Sequence, residues 1–433
     1  MNVPLGFSLT DTEKKKQKKL KKTKKQKQSK KPVLNTPALD YSDEKEIKVE
    51  QISINGLTKA RKYLIKNIVQ EPLNAKSLPQ LFFQARHAAG ILKRLDMAQD
   101  VQVSIEKSKT KTNPNEPVPM IVTLECTEKK RIMVQTGAEV SSGEVSGNLM
   151  AKVRNVFGGG ESLEFKNRVN KSSGVSLQTV FSAPINANPL NRLDLLANQG
   201  WANYQLYSGY KEVLREFSAR YIKLGTTSHE FGYNASWREI SDLIPTVSNR
   251  IRSEAGHSLK SSLNYTFLYD NLDELKTQKT GSKIKLSAEV AGIGGDVFFA
   301  KSTAESKCEY NIHKKWSLVS VSRLGALFPI LESQNTSVID RFFLGGPMSI
   351  RGFPFRGLGP FQNNDNLGGD FFGFTSISLL TPLPFIKTDR LMGQIWADGA
   401  AIAMWDKEIS YLEQAKAAFS RPTISTGFGL AYQ

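Results

Sequence analysis

Cysteine is almost absent. Cys126 and Cys308, 182 residues apart, are the only two in 433 residues, so neither a disulfide framework nor a C-x-x-C redox or zinc site is available. The four histidines, at 87, 229, 257 and 313, have no metal-ligand spacing. No stretch approaches the ~18 consecutive apolar residues that a membrane helix needs. That excludes a helical membrane protein but not a β-barrel, whose alternating strands keep the average hydropathy ordinary. Met1–Leu9 lacks the apolar core of a secretory signal, and no Arg-rich, acid-poor presequence follows it. Gly158-Gly159-Gly160 is not followed by Gly-Lys-Ser/Thr, so it reads as a hairpin turn rather than a phosphate loop. No G-x-S-x-G elbow occurs. These absences leave no catalytic residue, metal site or cofactor to nominate, and the chain reads as a non-enzyme.

Positive charge is plentiful but local. Residues 1–31 hold twelve lysines against Asp11 and Glu13, a local +10 out of a net +18. The remaining +8 is spread over 402 residues, so no folded face carries a nucleic-acid footprint. Residues 1–46, with the run Lys14–Lys31, Pro32, Pro37 and the acidic patch Asp43–Glu46, cannot bury enough apolar surface to fold and are expected to be a disordered tail.

Residues 47–128 read as a small α/β unit of order β-α-α-β-β. Val49–Leu57 alternates as a strand and ends at the turn signal Asn55-Gly56. Lys59–Gln70 sets Tyr63, Leu64, Ile68 and Val69 on one helical face. Ser77 is expected to cap a second helix, with Pro79 in its first turn and a stripe of Leu78, Phe82, Ala85, Ala89, Leu92 and Leu95. Val101–Lys107 and Met120–Cys126 close the unit as strands.

From Arg131 onward the period changes to two. Phe231, Tyr233, Ala235 and Trp237 alternate with Gly232, Asn234, Ser236 and Arg238, and Ile284, Leu286, Ala288 and Val290 with Lys283, Lys285, Ser287 and Glu289. Fourteen such segments begin near residues 131, 145, 162, 175, 192, 212, 228, 258, 283, 297, 316, 371, 390 and 422, with hardly a competing helix. Sandwich and membrane barrel both alternate. The segments here run about 9–14 residues against the ~5–6 of soluble strands. Their second face carries Lys, Glu, Arg and Asn, which a water-filled lumen accepts and a sandwich core does not. Trp201, Tyr207, Tyr210, Tyr221 and Trp237 lie near segment ends, where interface girdles form. Residues 129–433 are therefore expected to be a transmembrane antiparallel β-barrel, making the chain mainly β.

One connection is too long for a turn. Asp340–Pro360 reads DRFFLGGPMSIRGFPFRGLGP and continues as a polar, Gly-rich stretch to Asp370. Arg341, Phe342, Gly345 and Gly346, followed by Arg351, Gly352 and Phe353, resemble the R-F-F-L-G-G…R-G-F signature of the β-barrel assembly (bacterial surface antigen) superfamily. GHSLKSSL at Gly256–Leu263, GGDVFF at Gly294–Phe299 and LLTPLPF at Leu379–Phe385 look like its mitochondrial branch, the core barrels of the sorting and assembly machinery. The α/β unit is similar to that branch's single polypeptide-transport-associated (POTRA) domain.

The resemblance implies several things. The loop at 340–370 folds back into the lumen, where Arg351 pairs with the barrel wall. The family's wall motif is F-x-D/N-x-G; a gapless match to QIWADGA at Gln394–Ala400 puts Ala397 at the acidic position, so Asp398 is the candidate partner only if a bulge returns it to the lumen. The branch has sixteen strands, so two are expected to be lacking after PTISTGFGLAYQ (Pro422–Gln433). A lateral gate is implied at the first strand, along Arg131, Val134, Thr136, Ala138 and Val140. The implied function is insertion of β-barrel precursors into the mitochondrial outer membrane by templated strand pairing, with the POTRA domain in the intermembrane space. The alternatives are a passive porin-like channel or an inactive truncated isoform. Implied partners are precursor polypeptides, outer-membrane lipids, other subunits of the sorting and assembly complex and an inner-membrane cristae-organising complex.

Overall fold

The structure, a computed structural model, describes residues 46–109, 116–141, 144–170, 174–272, 280–313, 316–331, 335–383, 391–406 and 408–432. The lysine-rich tail lies outside the described residues. Five elements open the described chain in the expected order: β1 (Ile47–Asn55), α1 (Lys62–Leu73), α2 (Leu78–Arg94), β2 (Ala98–Lys107) and β3 (Val118–Glu128). β3 is central, parallel to β1 and antiparallel to β2. Both helices cover one face of this sheet. Leu64, Ile68, Ala89 and Leu92 pack on Val101 and Leu124, while Leu81 and Ala85 pack on Ile47, Val49 and Val122.

Three details differ from the sequence reading. Leu81 is fully buried and Phe82 is 41% exposed, because the stripe that meets the sheet runs Leu81, Ala85, Ala88 and Leu92. Tyr63 is exposed and directs its hydroxyl to Asn186 Oδ1 at 3.0 Å. Ser77 stands at the N-cap with extended backbone, but its side chain makes no capping hydrogen bond.

Fourteen antiparallel strands follow. They are β4 (Ile132–Ser141), β5 (Glu144–Arg154), β6 (Ser162–Asn170), β7 (Gly174–Ile185), β8 (Asn188–Asn203), β9 (Lys211–Lys223), β10 (Thr227–Ser241), β11 (Gly256–Asp270), β12 (Gly281–Ala291), β13 (Phe299–His313) and β14 (Trp316–Pro329), then, after a hairpin of β15 (Phe361–Gln362) and β16 (Asp365–Asn366), β17 (Phe371–Pro382), β18 (Leu391–Ala403) and β19 (Thr423–Tyr432). Each segment read from period two is a strand, the largest offset being the start of β8. Neighbours in the sheet are neighbours in sequence, with β17 beside β14.

One face of the sheet carries the apolar residues. Val134, Leu149, Phe165, Leu193, Phe217, Phe231, Leu263, Leu286, Leu324, Ile377, Ile395 and Phe428 are all exposed. An apolar surface running round almost every strand is far larger than a soluble monomer shows and fits hydrocarbon outside. No described helix is long and apolar enough to cross a membrane. The other face carries the charges: Glu289 accepts from Lys260 at 2.9 Å and from Ser262 at 2.8 Å.

The connections at the strand ends away from the α/β unit of residues 47–128 hold three helices that the period-two reading did not include. They are α3 (Gln205–Ser208), α4 (Asn249–Ser253) and α5 (Tyr411–Ser420). Two expected girdle residues also point elsewhere. Tyr210 is fully buried on the inward side, and Tyr207 stacks edge-on to Phe355 of the long loop, 5.3 Å between centroids.

Candidate functional site: an inward loop and two free sheet edges

The connection from β14 to β17 lies against the charged faces of strands far apart in the sheet, so the sheet is curled around it. Its root is Arg341, whose side chain is 0% exposed. The guanidinium donates to Glu254 Oε1 at 3.1 Å, Thr336 Oγ1 at 2.9 Å, the Leu367 carbonyl at 3.1 Å and the Thr336 carbonyl, with Asp370 at 3.8 Å. Phe342 exchanges two backbone bonds with Gly369, both 2.8 Å, and its ring lies 4.7 Å from Phe372 and 4.5 Å from the Lys301 ammonium. Asp340, beside it, accepts from Arg238 of β10 at 2.6 Å; both groups are almost fully buried.

The glycines permit the reversal that follows. Gly345 has φ +120°, and a Cβ there would sit 2.2 Å from the Pro354 carbonyl oxygen. Gly346 has φ +95° and bonds to the Phe353 carbonyl at 3.0 Å. Leu344 and Ile350 pack on Phe374 and Ala400 of the wall, with Phe353 alongside.

Arg351 then reaches the wall. Its Nη2 donates to Asp398 Oδ1 at 2.6 Å, its Nε to Oδ2 at 2.8 Å and its backbone N–H to Oδ2 at 3.0 Å. Nη2 also donates to Ser376 Oγ at 2.8 Å, and the guanidinium lies 4.0 Å from the Trp396 ring centroid. The bidentate fork is the geometry that suits arginine rather than lysine. The sequence reading required a bulge, and none is present: β18 pairs with β17 and β19 without a register shift. Plain alternation turns Trp396 and Asp398 inward and Ile395 outward. The motif therefore starts one residue later than the gapless match, with Trp396 in the aromatic place. Gly352, at φ +84°, brings the loop within 3.0 Å of Ser425 Oγ on β19, measured from a Cβ built there.

Sequence reasoning missed Arg356, a non-glycine residue at φ +51°. Its guanidinium lies between the Tyr204 and Phe343 rings, 3.6 and 3.7 Å from their centroids, and donates to the Tyr210 hydroxyl at 3.3 Å. Asp365 likewise accepts from the Ser248 backbone N–H at 2.6 Å. The loop is thus tied to the sheet on both sides of the lumen. A cavity of about 1010 Å³ remains between the loop and the β5–β9 wall, lined in part by Asn170, Asn198, Trp201 and Arg323.

Among the described residues β4 pairs only with β5, and β19 only with β18. Val134, Thr136 and Ala138 lie exposed along β4, Val140 pairs with Val145, and Arg131 just before the strand accepts from the Arg154 N–H at 2.7 Å. β4 and β19 are thus the first and last strands of the described sheet.

The α/β unit of residues 47–128 grips the foot of this sheet. Asp96 accepts from Lys129 at 2.5 Å and from Arg154 at 2.5 Å, with Lys152 at 3.5 Å. Asn155 Nδ2 donates to the Lys59 carbonyl at 2.5 Å, and the Arg61 backbone N–H to the Gly158 carbonyl at 2.8 Å. The Gly-rich turn is therefore a docking surface as well as a hairpin. Ala187, in a two-residue turn where Asn186 and Ala187 have φ +53° and +57°, is buried in the core of the α/β unit.

Burial raises the Asp96 pKa, but the hydrogen bonds from Lys129 and Arg154 and the charges of Arg154 and Lys152 outweigh it and hold the carboxyl below its ordinary 3.8. A lowered folded-state pKa means the clamp contributes fully above the unfolded value and is lost as pH falls through the folded one, below 3.8. Asp96→Asn at neutral pH is expected to mimic that loss. It should speed amide exchange at Lys129 and Arg154, whose N–H groups bond Met97 and Arg131; unchanged exchange would remove Asp96 from the clamp.

Residues 155–433 match the Omp85 superfamily domain. The chain belongs to the Omp85 superfamily. This Omp85 chain is 29% identical to a SAM50-like protein of Schizosaccharomyces pombe over 400 residues, covering 89% of this chain and 83% of the relative. It is 31% identical to sorting and assembly machinery component 50 homolog B of Xenopus laevis, over 79% of this chain and 73% of the relative. The homolog of Homo sapiens is 30% identical, with 82% and 75% covered. Among solved structures, BamA from Haemophilus ducreyi lacking POTRA domains 1–3 matches with a TM-score of 0.73 over 89% of this chain and 78% of that one, at 18% identity. That last likeness is one of fold.

Proposed function

We propose that this Omp85 protein takes β-barrel precursors from the intermembrane space and assembles them into the mitochondrial outer membrane. The observation that carries the reading is the loop tied into the lumen through Arg351 and Asp398 in a family member whose named relatives are sorting and assembly machinery components, with the edge of β4 as the start of its sheet. An incoming strand would add to that edge by backbone hydrogen bonds, which are indifferent to sequence and so suit many substrates. Residues 47–128 would act as a POTRA domain in the intermembrane space, close to the edge through the Asp96 clamp. The partners on this reading are precursor polypeptides, outer-membrane lipids, further subunits of a sorting and assembly complex and an inner-membrane cristae-organising complex. The loop tied across the lumen counts against a passive channel.

Depleting the protein is expected to deplete assembled mitochondrial porin while leaving helical outer-membrane proteins largely in place. Blue-native electrophoresis of imported porin reads this directly. Normal porin assembly after complete depletion would overturn the proposal.

A further inference from the structure

At one corner of the outer wall a cluster of large lipid-facing side chains is not exposed. In β14, β17 and β18 the outward residues include Leu324, Ile377 and Ile395, 53%, 49% and 58% exposed. Phe371 and Ala401 share that face by strand alternation, yet they are 3% and 9% exposed. What covers this corner is the segment between β18 and β19. The Trp405 ring stacks on Phe371 at 4.1 Å and on Phe328 at 5.3 Å, and its indole N–H donates to the Leu327 carbonyl at 2.7 Å. Tyr411 and Phe419 of α5 join the cluster, Tyr411 at 4.8 Å from Trp405 and Phe419 at 6.4 Å from Phe371.

The seat is cut for the helix. Gly373 faces outward, and a Cβ there would lie 2.3 Å from the Phe419 ring, so only glycine leaves room. The start of the helix is also held in shape: Gln414 accepts from the Asp406 N–H at 2.7 Å and donates to the carbonyls of Asp406 and Ile409 at 2.6 and 2.7 Å. Yet α5 buries no residue of its own. Ile409, Leu412 and Phe419 remain 48%, 65% and 45% exposed, alongside Lys416 and Arg421.

Position decides what meets this surface. Gly373 is the third residue of β17, so with about 3.3 Å per residue and a tilt of about 40° the seat lies roughly 5 Å inside the strand end. Amphipathic helices at a membrane interface bury their apolar side about 5–10 Å into the boundary between headgroups and chains. We infer that α5 is an interfacial helix, placing Ile409, Leu412 and Phe419 in the phospholipid leaflet on the side away from the α/β unit. Lys416, one turn from Leu412, has the reach to carry its ammonium up to the phosphates. The occupant of the exposed face is lipid, because Phe419 joins that face to the outward wall at Gly373 and Phe371 and Lys416, the cation within the stripe, reaches out to the headgroups.

The inference rests on reading that wall as lipid-facing, and its test separates the two. The full chain with Cys126→Ser and Cys308→Ser would receive single spin-labelled cysteines at Leu412, Glu413 and Ile377 and be reconstituted alone into phosphatidylcholine vesicles. The Ile377 label tests the wall independently of α5 and checks the fold of each preparation. With that label oxygen-accessible, the Leu412 label is expected to collide several-fold more often with oxygen than with a water-soluble nickel chelate, and the Glu413 label to show the reverse. A Leu412 label as open to the chelate as the Glu413 label overturns the inference. Protection of Leu412 that requires added outer-membrane protein also overturns it, by assigning the face to a protein partner.

Discussion

Replacing Arg351 with alanine is expected to reduce precursor assembly by at least tenfold while the protein stays in the membrane. The reason lies in what the substitution leaves behind. The Asp398 side chain is 0% exposed and takes three hydrogen bonds from Arg351, two from the guanidinium and one from the backbone N–H. Removing one partner of a buried pair costs about 3–5 kcal/mol, because the remaining charge has lost its compensation. The loop tip, held there otherwise by apolar packing on Phe374 and Ala400 and by the Arg323 bond to the Met348 carbonyl at 2.9 Å, would leave the β17–β18 wall, and with it the approach of Gly352 to β19. The strand bonds of the sheet do not depend on Arg351, so alkali-resistant membrane residence should survive. Arg351→Lys restores charge but neither the fork nor the planar contact with Trp396, and its activity should fall between wild type and alanine. Assembly kinetics of imported porin, read beside alkali extraction, check both variants; an Arg351→Ala protein with wild-type kinetics would take the loop tip out of the mechanism.

The second large effect is expected at Arg341. This side chain is also 0% exposed, and Glu254 and Asp370 both face it. Arg341→Met keeps the volume and removes the guanidinium that faces both carboxylates, leaving Arg250 as the charge beside them, so the loop root should lose up to about 3–5 kcal/mol. Because Glu254 Oε2 also accepts from the Val338 N–H at 2.6 Å, the damage should spread along 336–342. The chemical denaturation midpoint of the reconstituted protein should drop. Adding Glu254→Gln should recover part of the loss, since it removes a charge that has lost its hydrogen-bonded cation. Strict additivity of the two changes would show that the ion pair does not couple loop and sheet.

Most of the wall was legible in the sequence because each strand carries its own signal: period two with one face apolar needs no knowledge of the neighbours. The loop motif was legible as a family resemblance. What it touches was not. Arg341 meets Glu254 across 87 residues, and Arg356 meets Tyr210 across 146, separations at which spacing carries no information. Asp398 shows a different limit. The residue was identified, but a frame error of one residue attached a bulge to it, when alternation along Ile395–Ala400 already turns it inward. Helix α5 was missed because its seat consists of outward residues on β17 and β18, and an apolar residue bound for a helix looks the same in sequence as one bound for lipid. Phe82 failed on a similar ambiguity, since Leu81 and Phe82 serve a helical stripe equally well until the sheet beneath chooses one.

Ala187 links the histories of the two parts of the chain. Its left-handed backbone costs on the order of 1–2 kcal/mol for a residue other than glycine, and its methyl group is buried among Leu64, Ile68 and Leu92 of a domain whose sequence ended some sixty positions earlier. Residues 47–128 are synthesised first, yet their core includes a buried residue that the β7–β8 hairpin supplies. The domain thus reaches its mature packing only on a sheet that has already made its fourth and fifth strands. Order of synthesis and order of completion run in opposite directions, and an unfinished barrel carries an unfinished domain.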